Sequence, residues 1–185
     1  MIRKTTAALL ALATLGFAPA SQAAEPFLMK SSTFTDGGKL PVKMSGLPSR
    51  SPNCAGENIS PQLSWSGVPE GTKSLALTMI DPEGRGGTGV HHFLAYGISP
   101  TLTSFAEGEL SKASDKFVGG KSAMNVGTYE GPCAAGVPHH YMFTLIATDF
   151  DPKELPPGLT MFELWAKLQG HAKGAVGMVG LYAKP

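Results

Sequence analysis

Charge is scarce in this chain: of 185 residues only 16% are Asp, Glu, Lys or Arg, with 15 basic against 14 acidic. The near balance leaves no basic field, and no run of Lys or Arg with interleaved aromatics occurs, which excludes a nucleic-acid footprint. Beyond the first two dozen positions no apolar run approaches the roughly 20 residues of a spanning helix, so no stable membrane insertion is expected. Catalytic signatures are missing too. There is no G-x-S-x-G elbow to present a hydrolase serine and no H-E-x-x-H pair to hold zinc. Gly120-Lys121-Ser122 has the tail of a phosphate-binding loop, but Asp115 stands where the first glycine belongs. The absence of repeats, low-complexity tracts and linkers points to one domain.

Cysteine is almost absent. Cys54 and Cys133 are the only two, and in an oxidising compartment two cysteines in one small domain usually pair. Two buried free thiols remain the alternative, because spacing says nothing about geometry. The compartment is read from the first residues. Arg3 and Lys4 precede an apolar run from Thr6 to Phe17, Pro19 breaks it, and Ser21-Gln22-Ala23 supplies the small-x-small cleavage pattern. These are the parts of a secretory leader. Residues 1–23 are expected to be a signal peptide, and 24–185 a single domain in the periplasm or outside the cell.

What is plentiful is strand. Lys73–Ile80, His92–Ile98 and His140–Thr148 are β-rich apolar runs, with shorter candidates at Phe27–Ser31, Leu63–Trp65 and Val176–Tyr182. Several are apolar at both parities, which predicts strands covered on both faces, as in stacked sheets. The 23 glycines and 15 prolines fall mostly between them and mark long ordered loops. One helix is predicted after Thr160, an N-cap whose capping box is completed by Glu163, with Leu159 and Leu164 as a hydrophobic staple. Leu164, Trp165 and Leu168 form its apolar stripe, and Phe162 and Trp165 are expected to be core contacts. His171, near its end, is read as a partner of the helix dipole.

Polar residues at strand ends are where a β scaffold places function. Asp81 stops one strand and His92 starts the next, with Glu83 and the glycine-rich loop 84–89 between them. Far along the chain, Gly131-Pro132-Cys133 leads to His139-His140-Tyr141 at another strand start. If the two histidine-bearing turns meet, they surround a pit suited to an anion. An imidazole donates N–H, an acid behind it fixes its tautomer, and glycine-loop amides add donors. Strand alternation sends one ring of each histidine pair inward and the other outward.

These residues resemble a known family. Asn58-Ile59-Ser60-Pro61 through Leu63-Ser64-Trp65, with Thr72 to Leu77, is similar to the phosphatidylethanolamine-binding protein family, closest to its bacterial Raf-kinase-inhibitor-like branch. Asp81-Pro82-Glu83 with His92-Phe93 resembles the family's first signature, and Gly131-Pro132-Cys133 with His139-His140-Tyr141 its second. Gly170-His171 and Val179 to Tyr182 are similar to its closing segment. The resemblance implies an all-β fold: an antiparallel β-sandwich with a large central sheet, long loops and one or two short C-terminal helices. It implies a small cavity at one rim that takes phosphate, acetate or the phosphorylethanolamine headgroup. Carried across, Asp81, Glu83, His92, Pro132, His139 and Tyr141 are its ligand-binding residues, and His91 and His140 are demoted. Glu83 stands where the family usually has aspartate, and Ala134-Ala135 where prolines are common.

The expected function is thus an exported binding or regulatory protein with a pocket for a small anion or a phospholipid headgroup, tuning contact with a protein partner. No activated nucleophile accompanies the histidines, so no catalytic residue, metal or cofactor is assigned. The alternatives are a low-activity hydrolase, histidine-based or with zinc held by His92, His139, His140 and an acid, and a protease inhibitor acting through an exposed loop.

Overall fold

The computed structural model describes residues 25–124 and 126–185; the signal-peptide reading of residues 1–23 lies outside them. Nine strands run in chain order: β1 (Leu28–Lys30), β2 (Gly38–Lys39), β3 (Leu63–Ser66), β4 (Ser74–Asp81), β5 (Val90–Ile98), β6 (Ser104–Phe105), β7 (Val118–Gly119), β8 (His139–Thr148) and β9 (Ala172–Tyr182). They form a six-stranded sheet, β2-β9-β8-β4-β5-β7, and a three-stranded sheet, β1-β3-β6. The expected sandwich with a large central sheet is therefore present. Pairing is antiparallel except at one edge, where β2 runs parallel to β9. The edge strands β2, β6 and β7 leave no trace in the sequence, because two residues carry no period.

Residue parity sorts the two faces of the large sheet. Leu75, Leu77 and Met79 of β4, Phe93 and Ala95 of β5, and Phe143 and Leu145 of β8 pack against Met29, Leu63, Trp65 and Phe105 of the small sheet. The alternate residues Ala76, Leu94 and Tyr96 meet Met161, Leu164 and Leu168 of the helix Met161–Leu168. The central strands are apolar at both parities because both faces are covered.

That helix is built as its sequence requires. Thr160 accepts from the Glu163 amide at 3.3 Å, and the Glu163 carboxylate accepts from the Thr160 amide at 2.8 Å. Its stripe is narrower than expected, and two expected core contacts are corrected: Phe162 is 69% exposed and Trp165 40%. They stack on each other and on His91 at the surface. The helix is the expected short C-terminal one, followed only by β9. His171 lies beyond the helix, and its Nδ1 is held by the Asp149 carboxylate at 2.7 Å rather than by the helix dipole.

The cysteines are paired. Cys54 and Cys133, 79 positions apart, form a disulfide with Cα atoms separated by 4.4 Å, and the described residues contain no free cysteine. Asn58 reinforces the junction. It sits at φ 58°, donates to the Tyr129 carbonyl at 2.9 Å and accepts from the Gly131 amide at 2.8 Å. Its amide is committed to the fold. Gly131 cannot be larger, since a Cβ there would lie 2.0 Å from the Met44 carbonyl oxygen.

Candidate functional site

Strand order builds the site. β8 and β5 flank β4 and both run antiparallel to it, so the starts of β8 and β5 lie beside the end of β4. Asp81 closes β4, with His92 near the start of β5 on one side and His139 at the start of β8 on the other. His139 Nδ1 donates to Asp81 Oδ2 at 2.8 Å, and His92 Nε2 lies 4.0 Å from the same oxygen. The second oxygen, Oδ1, accepts from the Gly84 amide at 2.8 Å. The two histidine-bearing turns do meet, around a shared carboxylate.

Which histidine of the first pair enters is decided by a β-bulge. Met79 pairs with Phe93 but Ile80 pairs with His91, so β5 spends an extra residue at His92. Simple alternation would put His92 on the helix side with Leu94 and Tyr96. The extra residue instead turns it to the opposite face, where its ring meets Tyr141 edge-on at 5.2 Å. His91 takes the helix side, against Phe162 and Trp165.

The cavity at this rim has a volume of about 410 Å³. Asp81, His92, His139 and Tyr141, all named from the sequence, line it together with Arg50, Arg85 and Glu130, which were not. The disulfide brings Arg50 and Glu130: it fastens the stretch before Cys54 to the stretch before Cys133. An Arg50 nitrogen stands 3.6 Å from the Glu130 carboxylate. Arg85 sits at the top of the glycine-rich turn at φ 51°, a conformation that residues other than glycine, Asn and Asp seldom adopt. A basic residue within a glycine loop was the available signal for Arg85. For Arg50 and Glu130 the signal was proximity to the two cysteines.

Two named residues are placed otherwise. Glu83 is not in the lining; its carboxylate takes the His140 ring at 2.7 Å and the His140 amide at 3.1 Å on the exposed edge. Pro132 is buried behind the wall, where its carbonyl accepts from Ser45 Oγ at 2.6 Å and from the Gly46 amide at 3.0 Å. Three glycine amides of the loop are bound internally, Gly84 donating to Asp81, Gly87 to Glu83 and Gly89 to Gly84. Gly84 and Arg85 are the loop residues that line the cavity.

Electrostatics differ group by group. Burial pulls the His92 imidazole below its ordinary range, outweighing the Glu130 carbonyl and the Asp81 charge that pull it up. Burial pushes the Glu130 carboxyl up, against the Arg50 guanidinium. Burial, with the Asp81 charge, also raises the Tyr141 phenol, whose oxygen accepts from the Ala134 amide at 3.3 Å. As to metals, Asp81, Glu83 and His139 place oxygens and a nitrogen within 4.8 Å of one another. The zinc set weighed from the sequence is not brought together, because His140 is bonded to Glu83 at the surface. No helix among the described residues is long and apolar enough to cross a membrane.

Comparison with known proteins agrees with this architecture. Residues 30–183 match the sequence model of the phosphatidylethanolamine-binding protein family. A UPF0098 protein of Methanothermobacter thermautotrophicus is 33% identical over 158 residues, covering 84% of this chain and 98% of its own. The crystal structure of Escherichia coli YbcL, described as a member of the mammalian PEBP family, superposes with a TM-score of 0.76 at 26% identity. It covers 86% of this chain and 99% of YbcL. The Chlamydia trachomatis homologue CT736 gives a TM-score of 0.73 at 30% identity, covering 86% of this chain and 98% of that one.

Proposed function

The chain belongs to the phosphatidylethanolamine-binding protein family, and from that premise we propose that it is an exported binding protein whose rim cavity holds a small oxyanion. The ligand class is a phosphate or a phosphate-bearing headgroup, with a carboxylate as a weaker alternative. One observation carries the reading: His92, Asp81 and His139, from three adjacent strands, converge on one cavity bounded by Arg50 and Arg85. Two guanidinium groups at the mouth attract an anion and can grip it through paired N–H donors. The Asp81 carboxylate is turned to His139 and the Gly84 amide, so it orients the ring rather than facing the guest. A site of this kind binds without reacting, since no lining side chain is an activated nucleophile. Occupancy by a ligand that fills the rim would alter the surface offered to a protein partner, which is how binding would regulate.

Titration calorimetry with inorganic phosphate and with phosphorylethanolamine at about pH 7 tests this. The Arg50→Ala and Arg85→Ala variants should each weaken binding about tenfold or more, the size expected for losing a charge-assisted hydrogen bond. Unchanged affinity in both folded variants refutes the cavity as the binding site. Export is tested separately: the protein recovered from a periplasmic fraction should begin near Ala24, and a chain still starting at Met1 there refutes the leader.

A further inference from the structure

His92 turns a lone pair, not an N–H, into the cavity. Its Nδ1 lies 2.9 Å from the Glu130 backbone carbonyl. A carbonyl only accepts, so Nδ1 carries the proton. In the neutral ring Nε2 is then an acceptor, and it stands 4.0 Å from Asp81 Oδ2, another acceptor. His92 is only 8% exposed. A bare, fully deprotonated oxyanion placed against this nitrogen meets lone pair with lone pair.

We infer that the cavity selects an oxyanion that still carries a proton, such as hydrogen phosphate, over an isosteric one that carries none, such as sulfate, and that His92 is the residue that discriminates. The inference rests on the cavity being the anion site and specifies what that site accepts. The proton lies between a ligand oxygen and His92 Nε2. With hydrogen phosphate it arrives on the ligand as P–O–H, and nothing need come from solvent. With sulfate it must be taken from solvent onto Nε2. That uptake is resisted by burial, which holds the imidazole low. The charged groups facing His92 are Asp81 from β4, His139 from β8 and, from the segment before Cys133, Glu130 with its Arg50 partner. Asp81 favours a second proton on His92, while the cost of desolvation and the neighbouring His139 oppose it.

The experiment compares phosphate and sulfate binding by calorimetry at constant ionic strength between about pH 6 and about pH 9. Hydrogen phosphate keeps a proton across that range, and sulfate has none. Sulfate affinity should fall by about tenfold per pH unit in the upper part of the range, as one-proton linkage requires. Phosphate affinity should stay nearly level there, so the preference for phosphate widens with pH. Sulfate binding at acid pH should also take up one more proton from the buffer than hydrogen phosphate does. In His92→Gln the amide can present N–H where Nε2 stood, so sulfate should bind at the alkaline end and the pH slope should vanish. A phosphate-to-sulfate ratio that stays constant with pH in the wild-type protein overturns the inference, whether or not the variant folds. If neither anion binds at any pH, the cavity assignment itself fails.

Discussion

At the scale of single residues, the acids divide by what stands opposite them. Asp81 is satisfied by His139 and Gly84, whereas Glu130 is buried with one guanidinium 3.6 Å away. Burial raises the Glu130 carboxyl, so between its unfolded and folded pKa values the folded state binds more protons than the unfolded one. Stability from this group is thus greatest in acid and is lost as pH rises through the folded value. Glu130→Gln should therefore raise the melting temperature at about pH 7 and leave it nearly unchanged at about pH 3. An equal effect at both would show that Glu130 carries no burial penalty. His92 acts in the opposite direction. Its pKa is lowered on folding, so its contribution is intact above about pH 6.5 and is lost as pH falls below that. Phosphate should offset this acid loss, because the bound anion supplies the partner that a protonated Nε2 needs. Melting curves at about pH 5 with and without phosphate measure it.

At the scale of elements, the helix Met161–Leu168 shows how far local pattern reaches. Its capping box, start and buried Leu164 and Leu168 follow from side-chain chemistry within one turn, and all were legible. The exposure of Phe162 and Trp165 is not legible in that pattern, because an aromatic on a short helix satisfies it equally well from a neighbouring, uncovered face. Leu164→Ala should cost about 2–5 kcal/mol by emptying a packed site, whereas Phe162→Ala should change stability by less than about 0.5 kcal/mol. Urea unfolding of the two variants distinguishes them; comparable losses would place Phe162 in the core. The bulge in β5 is the corresponding case for a strand. Period-two reasoning holds from Phe93 to Tyr96, but an extra residue at His92 reverses the parity before it, and a second register shift puts Ile98 on the face of Phe93 and Ala95.

At the scale of the whole molecule, the disulfide joins two long loops across 79 positions and closes one wall of the cavity. Loop-closure entropy puts its contribution at about 4–5 kcal/mol. Replacing both cysteines by serine should lower stability by up to that amount. It should also weaken phosphate binding, because Arg50 and Glu130 lose the tether that holds them at the rim. A variant that melts earlier but binds phosphate unchanged would restrict the bridge to a structural role. The sandwich itself needs no bridge to be specified, since the alternation on β4 and β8 already commits one parity to each neighbouring layer.

The sequence by itself determined the layered β architecture, the capped helix, the two cysteines and the identity of Asp81, His92, His139 and Tyr141. Each is written in a period, a cap or a motif whose cause is local. Only the tertiary structure decided that Arg50, Arg85 and Glu130 share the cavity, that Glu83 and Pro132 stand outside its lining, and that His92 offers a lone pair. Those outcomes depend on strand order, on one inserted residue and on a backbone carbonyl 38 positions away. Forces between residues distant in the chain leave no periodic trace along it, and only the folded backbone brings them within reach.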